Sequence, residues 1–434
     1  MSMQADARIA AVEGAGSSAV TKVAWLALMS GFLGWTFDSM DLNLFSLVVF
    51  PTLADLLKTR DATVISQVSG LIVALKIFAW GAGGIVFGVV ADRIGRSKTL
   101  GLTILIYSLF TGLSGLAQNW WQLAILQALA GIGIGGEWAA GGALIAETWP
   151  EKHRAKAMLI MQMGWSFGFF AAALVNLTLT PISWRWALAA GVLPALVTII
   201  IRIFVPEPER WREVRSAVQA AEGDKDSAWT TFTSIFKGGM LRLTIVGVCI
   251  AAAMMIGSFP GLALIGPWIN QILGPGNGGQ AIRDISYTFF LINAGAVPGF
   301  LVVMWLSDAI GRRPTYFIFA VAALAITWLT FRNGSTVERL EMLAPLYGFI
   351  TVGGFGTFAI YLPELFPTRS RVTGQGFSYN MSRMLTSPWP YVAGVLVGTF
   401  GSIPSAVCAV SLLLIVGMIA IWFGPETRGA PLKD

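Results

Sequence analysis

Residues 88–96 read GVVADRIGR, and residues 304–313 read MWLSDAIGRR. The two aspartates, Asp92 and Asp308, lie 216 positions apart. A second pair of segments follows in nearly the same register. ETWPEKHR runs from Glu147 to Arg154 and ELFPTRSR from Glu364 to Arg371, at an offset of 217. Both read E-x-x-P-x-x-x-R. A third pair, Pro206–Glu207 and Pro425–Glu426, is offset by 219. One such match could arise by chance, but three in register mark a duplication with small length changes. Parallel repeats of six helices place a substrate site between the halves, near the bilayer midplane.

Between these motifs the chain is apolar in runs of about 20 residues, the length that spans a bilayer. They fall near 23–50, 68–91, 99–117, 121–147, 156–180 and 184–205. A polar stretch over 206–240 carries Arg210, Arg212, Glu213, Arg215, Glu222, Asp224, Lys225 and Asp226. Six more runs follow near 241–270, 285–308, 315–331, 340–365, 371–397 and 400–424. The expected fold is all-α and polytopic, with 12 transmembrane helices in two six-helix halves. The expected divisions are an N-terminal tail at 1–22, a first half at 23–206, a central loop at 207–240, a second half at 241–424 and a short tail at 425–434. The first 20 residues hold no cleavable apolar stretch and read as a disordered cytoplasmic tail.

Composition agrees. Of 434 residues, 55% are hydrophobic and only 12% are charged, about half the charged share of soluble proteins. So few charges cannot cover the outside of a soluble protein this large, so much of the surface must face lipid. The formal charge of +6 could suggest nucleic acid, but the placement of the cations explains it better. With both termini cytoplasmic, 21 of the 29 Lys and Arg residues fall inside. Lys58, Arg60, Arg185, Arg283, Arg332 and Arg339 fall outside, and Lys76 and Arg383 fall within spans. That bias is the positive-inside pattern. No enzyme, metal or cofactor chemistry is expected. Cys249 and Cys408 sit in apolar runs, and the single histidine, His153, sits in a charged loop.

An ionisable group at span depth costs roughly 2.5–3.5 kcal/mol on insertion scales, so each embedded charge calls for a reason. Asp38 and Asp41 are three apart, on one helix face. Two carboxylates in a poorly hydrated cavity repel each other, and a carboxylate that exchanges its proton near physiological pH is what proton coupling requires. Glu137 lies among Gly131, Gly133, Gly135, Gly136, Gly141 and Gly142, and could carry a proton or pair with Lys76 or Arg383. Lys76 and Arg383, one in each half, could both face a bound anion; Arg383 has the planar fork that suits a carboxylate. The alternative for Lys76 is neutralisation by Asp38 or Asp41. Tyr379 and Asn380 add hydrogen-bonding groups beside Arg383, and Trp138 and Trp165 are candidate cavity aromatics.

The D-R-x-G-R loop, the repeated E-x-x-P-x-x-x-R and the terminal PETRG together resemble the major facilitator superfamily over roughly residues 22–429. Within it, Gly131–Glu147 (GIGIGGEWAAGGALIAE) and Gly376–Arg383 (GFSYNMSR) are similar to the sialate and monocarboxylate proton symporters and related metabolite:proton symporters. The DSMD of residues 38–41 resembles the D-G-x-D of aromatic-acid proton symporters, with Ser39 in place of the Gly. Gln127 and Met304 depart from the family pattern, where Arg and Gly are usual.

The resemblance implies a cytoplasmic gate built from Gly88, Asp92, Arg93, Arg96, Glu147, Arg154, Asp308, Arg312, Glu364 and Arg371. In it, Asp92 pairs with cations and caps a helix of the opposite half, while Glu147 with Arg154 and Glu364 with Arg371 form matching clusters. It also implies a monomeric importer in a cell inner membrane, moving a small organic anion together with protons by alternating access. Substrate classes in view are a monocarboxylate, an aromatic acid or a sugar acid. A neutral-sugar transporter or a metabolite or drug exporter of the same superfamily is the alternative. The seventh run, AAAMMIGSFPGLALIGPWI, lacks the Gln pair of sugar porters.

Overall fold

The computed structural model describes residues 20–59, 61–195, 204–222, 227–274 and 278–432. Most of the expected tail at 1–22, Arg60, Arg202 and residues 223–226 of the central stretch lie outside the described residues. The first five helices are α1 (Lys22–Leu57), α2 (Ala62–Ile94), α3 (Arg96–Ser114), α4 (Trp120–Thr148) and α5 (Glu151–Leu179). The sixth, α6 (Trp184–Ala189), continues helically until the description stops at 195.

The central polar stretch is structured rather than a plain loop. It forms α7 (Glu209–Glu222) and α8 (Ala228–Ser234). The α7 sequence ERWREVRSAVQAAE is rich in strong helix formers. In α8, Ser227 and Thr230 form a reciprocal capping box. The second set of spans follows: α9 (Gly238–Leu273), α10 (Gly278–Ile310), α11 (Arg312–Asn333), α12 (Val337–Gly354) continuing as α13 (Gly356–Leu365), α14 (Arg371–Thr386) with α15 (Trp389–Phe400), and α16 (Ile403–Ser411) with α17 (Leu414–Ala420).

Among the described residues, nine helical stretches are long and apolar enough to cross a membrane. The other three of the twelve expected spans, the third, sixth and eleventh, are short, partly outside the described residues or interrupted. Helix α3 has only 19 residues and opens on Arg96 and Lys98. The sixth span leaves the described residues, and the eleventh breaks between α14 and α15 at Ser387–Pro388, where proline interrupts helical bonding. Helices α1 and α9, of 36 residues each, are about 54 Å long and overshoot a bilayer core of about 30 Å.

Close helix approach carries the packing, as expected where lipid is no less apolar than leucine. A Cβ on Gly83 would sit 2.1 Å from Ile132 O, and one on Gly135 2.1 Å from Trp80 O, so α2 and α4 touch backbone to backbone. The second half repeats this contact between α10 and α12: a Cβ on Gly295 or on Gly348 would lie 1.9 Å from a facing carbonyl oxygen, that of Pro345 or Ile292. The halves meet where α2 crosses α14: Gly84 fits against Asn380 and Gly88 against Val372.

Both signature loops turn in the same way. Gly95 (φ 118°) and Gly311 (φ 103°) take left-handed backbone that other residues rarely adopt, so a new helix starts one residue after the last one ends. The third repeated motif completes these turns. Glu207 accepts from the backbone N–H groups of Arg96 (2.7 Å), Ser97 (3.2 Å) and Lys98 (2.9 Å), the first turn of α3. Glu426 accepts from Arg312 (2.9 Å) and Arg313 (3.1 Å), the first turn of α11. Helix starts leave unbonded N–H groups and a partial positive charge, which a carboxylate satisfies on both counts.

Candidate functional site

At one end of the bundle, the charged residues of the signature motifs converge. Asp92, at the end of α2, accepts from Val372 N (3.3 Å), Thr373 N (2.8 Å) and Thr373 Oγ1 (2.7 Å), capping α14 of the other half. Its own half supplies Arg96 at 3.0 Å. Arg96 also forks onto Glu147, with Nε and Nη2 each 3.0 Å from a carboxylate oxygen, and reaches Thr368 O across the interface at 2.8 Å. Arg371 crosses the opposite way to Glu147 at 2.7 Å. Arg312 forks onto Glu364 at 3.1 and 3.0 Å and meets Asp308 at 3.4 Å.

The partners differ from the expected clusters. The arginine of each E-x-x-P-x-x-x-R segment turns to the other half's glutamate: Arg371 bonds Glu147, and buried Arg154 lies within electrostatic reach of Glu364. The two aspartates are also unequal. Asp92 is buried under α14, whereas Asp308 is 40% exposed and among the described residues bonds only Arg312 of its own half. Gly88 gives α2 its close approach to Val372. Arg93 is half-buried at the same end.

These bonds tie the halves together, so Asp92→Ala is expected to loosen them. Spin labels at Lys98 and Lys237, both exposed, should report a longer and broader distance distribution. An unchanged distribution would count against Asp92 as a gate residue.

Deeper in the bundle, the two aspartates of α1 part company. Asp41 Oδ2 holds Lys76 Nζ at 2.7 Å, with both side chains 1% exposed. Gln127 Oε1 accepts from the same Nζ at 2.8 Å, and Gln127 Nε2 donates to Ser114 at 3.0 Å. Of the two alternatives open for Lys76, the structure places it in a neutralised pair. Asp38 instead faces Glu137 of α4. Both carboxyls are fully buried, and among the described residues no backbone N–H or other side-chain donor bonds either of them. Glu137 pairs with neither Lys76 nor Arg383.

Gly34, one turn before Asp38, makes the Asp38–Glu137 approach possible: a Cβ there would lie 2.1 Å from Glu137 Oε1. Only the flexible end of Glu137 must yield, so Gly34→Ala should fold. It is expected to cut proton-driven accumulation several-fold while sparing counterflow exchange. Equal loss of both would place the effect on folding or substrate binding instead.

Arg383 of α14 reaches into the same region, within coulombic range of Asp38. Its guanidinium carbon lies 3.5 Å from the Trp80 ring centroid and 4.8 Å from that of Tyr379, and Nη2 donates to Tyr379 Oη at 2.8 Å. Tyr379 in turn stacks on Trp138 at 4.0 Å and 17°. Trp138 Nε1 donates to Gln162 at 3.1 Å. The result is a layered stack of Trp80, Arg383, Tyr379 and Trp138 spanning both halves. Two of its buried donors, Arg383 Nε and Trp80 Nε1, have no acceptor among the described residues.

Asn380 donates to Gly376 O and wedges against Gly84, at the helix crossing rather than in the stack. Trp165 packs on Trp35 at 5.3 Å, and its carbonyl accepts from Ser39. Sequence reasoning missed Trp80, Glu207 and Glu426. Trp80 had only its place one turn after Lys76 to mark it, and the glutamates were visible as a repeat without a role.

A family profile described as Major Facilitator Superfamily matches residues 24–388. The "Probable 4-methylmuconolactone transporter" of Cupriavidus pinatubonensis is 31% identical over 435 residues, covering 97% of this chain and 94% of that protein. The sialic acid transporter NanX of Escherichia coli is 27% identical over 383 residues, covering 86% of this chain and 88% of its own. Among solved structures, the proton:xylose symporter XylE superposes with a TM-score of 0.76 at 19% identity, over 95% of this chain and 98% of XylE. With the profile covering most of the chain and the fold matching end to end, the protein is a multi-pass membrane transporter, not an enzyme, and belongs to the Major Facilitator Superfamily.

Proposed function

We propose that the chain is a proton-coupled importer of a small organic acid. The observation that carries this reading is the Arg383 stack, whose cation keeps an unused buried donor beside two buried carboxyls. A buried, unfilled cationic donor asks for an anion, and a carboxylate matches the fork of arginine. Trp80 and Tyr379 fix the plane of the guanidinium, so the bound acid meets a pre-oriented partner.

Coupling follows from competition for Arg383. When Asp38 is ionised, it attracts Arg383 from across the interface; when Asp38 carries a proton, Arg383 is released to the anion. Proton and acid then favour each other's binding, which is the reciprocity symport requires. Glu137, facing Asp38, is the second seat for that proton. With Glu137 proton-bound, the charges of Asp38 and Arg383 cancel when proton and anion are both aboard or both absent, and a single net charge is left with either alone; the two neutral states are the ones that let the halves rock. The closed cluster around Asp92 and Glu147 holds the halves together at that end; with both termini cytoplasmic, that end is the inner one.

The relatives support an organic acid in general terms: muconolactone and sialic acid transporters differ widely in substrate shape, but both substrates carry a carboxylate. Monocarboxylates, aromatic acids and sugar acids all remain within the proposal. The test is proton uptake into proteoliposomes with an enclosed pH dye, offering lactate, pyruvate, benzoate, sialic acid and glucose in turn against protein-free liposomes. Acidification that needs both the protein and one acid supports the reading. Saturable glucose flux with no response to any acid overturns it in favour of a sugar carrier.

A further inference from the structure

At the end of the bundle that holds Asp92 and Glu147, a groove of about 600 Å³ opens on the outer surface between α9 and α17. Leu241, Ile245 and Val246 form one wall, Val416, Ile419 and Phe423 the other, and Cys249 lies deeper in. Five of these apolar side chains are more than 40% exposed, which only a lipid environment tolerates over such an area. Elsewhere the lipid-facing surface needs no explanation. This part is concave, of ligand size, and has a cation at one end.

That cation is Arg242. Its Nε donates to Phe423 O at 2.9 Å, which anchors the guanidinium on the end of the last helix. Its two Nη groups have no partner among the described residues. Exposed Lys237 stands one residue before α9 and adds a second positive charge at the same end. Gly238 lines the mouth, and a Cβ on Gly238 or Gly239 would meet nothing within 4 Å, so the approach to Arg242 is open.

An apolar slot running into the membrane, ending in two cations at the level where the polar loops begin, has the layout of a phospholipid. We propose that this groove holds one acyl chain of an anionic phospholipid, whose phosphate is bound by Arg242 with Lys237 alongside. A zwitterionic lipid would present its own cation to Arg242 and gain less. Clusters of basic side chains at a membrane face add affinity for anionic headgroups at about fivefold per cation. A lipid seated here touches α9 and α17, both in the second half, so it stays with that half as the carrier rocks.

The test uses full-length protein in detergent, titrated with phosphatidylglycerol or phosphatidylcholine and read by native mass spectrometry. The expected result is one retained phosphatidylglycerol, with at least about tenfold preference over phosphatidylcholine. Arg242→Gln should cut the preference about fivefold, and Arg242→Gln with Lys237→Gln should abolish it. Cys249→Phe, which fills the groove, should abolish retention of either lipid; Ile245→Phe, at an exposed wall position, serves the same purpose should Cys249→Phe fail to fold. Equal retention of the two lipids by the unaltered protein overturns the proposal. So does an undiminished preference in Arg242→Gln, a preference that survives loss of both cations, or retention that survives the filled groove, because the lipid is then bound elsewhere on the surface.

Discussion

Arg383→Ala is expected to lower uptake of the recognised acid, measured as kcat/KM in proteoliposomes, by about 100-fold or more. Removing one partner of a buried charge-assisted contact costs about 2–5 kcal/mol, and each 1.4 kcal/mol is tenfold. The loss should be larger than for Tyr379→Phe, which removes only the hydroxyl at 2.8 Å and leaves the ring in the stack. Arg383→Lys should not restore uptake, since a lysine ammonium offers neither the two-pronged fork nor a plane to lie 3.5 Å over Trp80. Uptake that survives Arg383→Ala would move the anion site elsewhere, with Lys76 the next cation to test.

Lys76 provides the second large effect, and it is one of stability. Lys76→Ala leaves Asp41 without its cation in a site that is 1% exposed, and Gln127 Oε1 without the donor it accepts from. Breaking a buried pair from one side costs about 3–5 kcal/mol. The expected outcome is a marked fall in the thermal unfolding midpoint of the purified protein. Removing both charges together, as Lys76→Met with Asp41→Asn, should recover most of that loss. The double variant also separates two roles. Uptake at an unchanged KM would make the pair a brace inside the first half, whereas a raised KM in a stable protein would make Lys76 a ligand of the anion.

The architecture was legible because three motifs recur in register and because a chain with 12% charged residues has no aqueous surface to build. The ends of the helices were less so. Helix α1 runs on to Leu57 beyond the expected end at 50, and α9 passes its expected run a little at both ends, since helical hydrogen bonding continues into the polar layer where hydropathy no longer marks it. Helices α7 and α8 hid inside a stretch whose charge count suggested a loop, although its residues favour helix.

At the site, residue types were readable and pairings were not. Asp38 and Asp41 share a helix face, yet α1 is crossed there by two neighbours, and each carboxyl found a different one. The arginines of the duplicated segments were legible as a set, but their crossing to the opposite glutamates depends on how the halves dock. Local spacing carries no record of that. Trp80 was unreadable because one Trp among 17 has no distinguishing pattern until Arg383 lies on it.

The carboxylates at the closed end fall into two mechanical grades. Glu207 and Glu426 each bind the start of a helix within their own half, so nothing in the transport cycle needs to stretch those bonds. Asp92 and Glu147 bind across the seam, through Thr373 and Arg371, and those bonds must part on every cycle. The first grade acts as riveting that keeps each half stiff; the second acts as a clasp made to release. Asp308 makes no such bond across the seam among the described residues, and Arg154 and Glu364 attract each other there without a hydrogen bond, so the clasp is stronger on the Asp92 side. The halves are therefore fastened along the α2–α14 edge and are expected to part as a hinged cover does, turning about the far edge rather than separating in parallel.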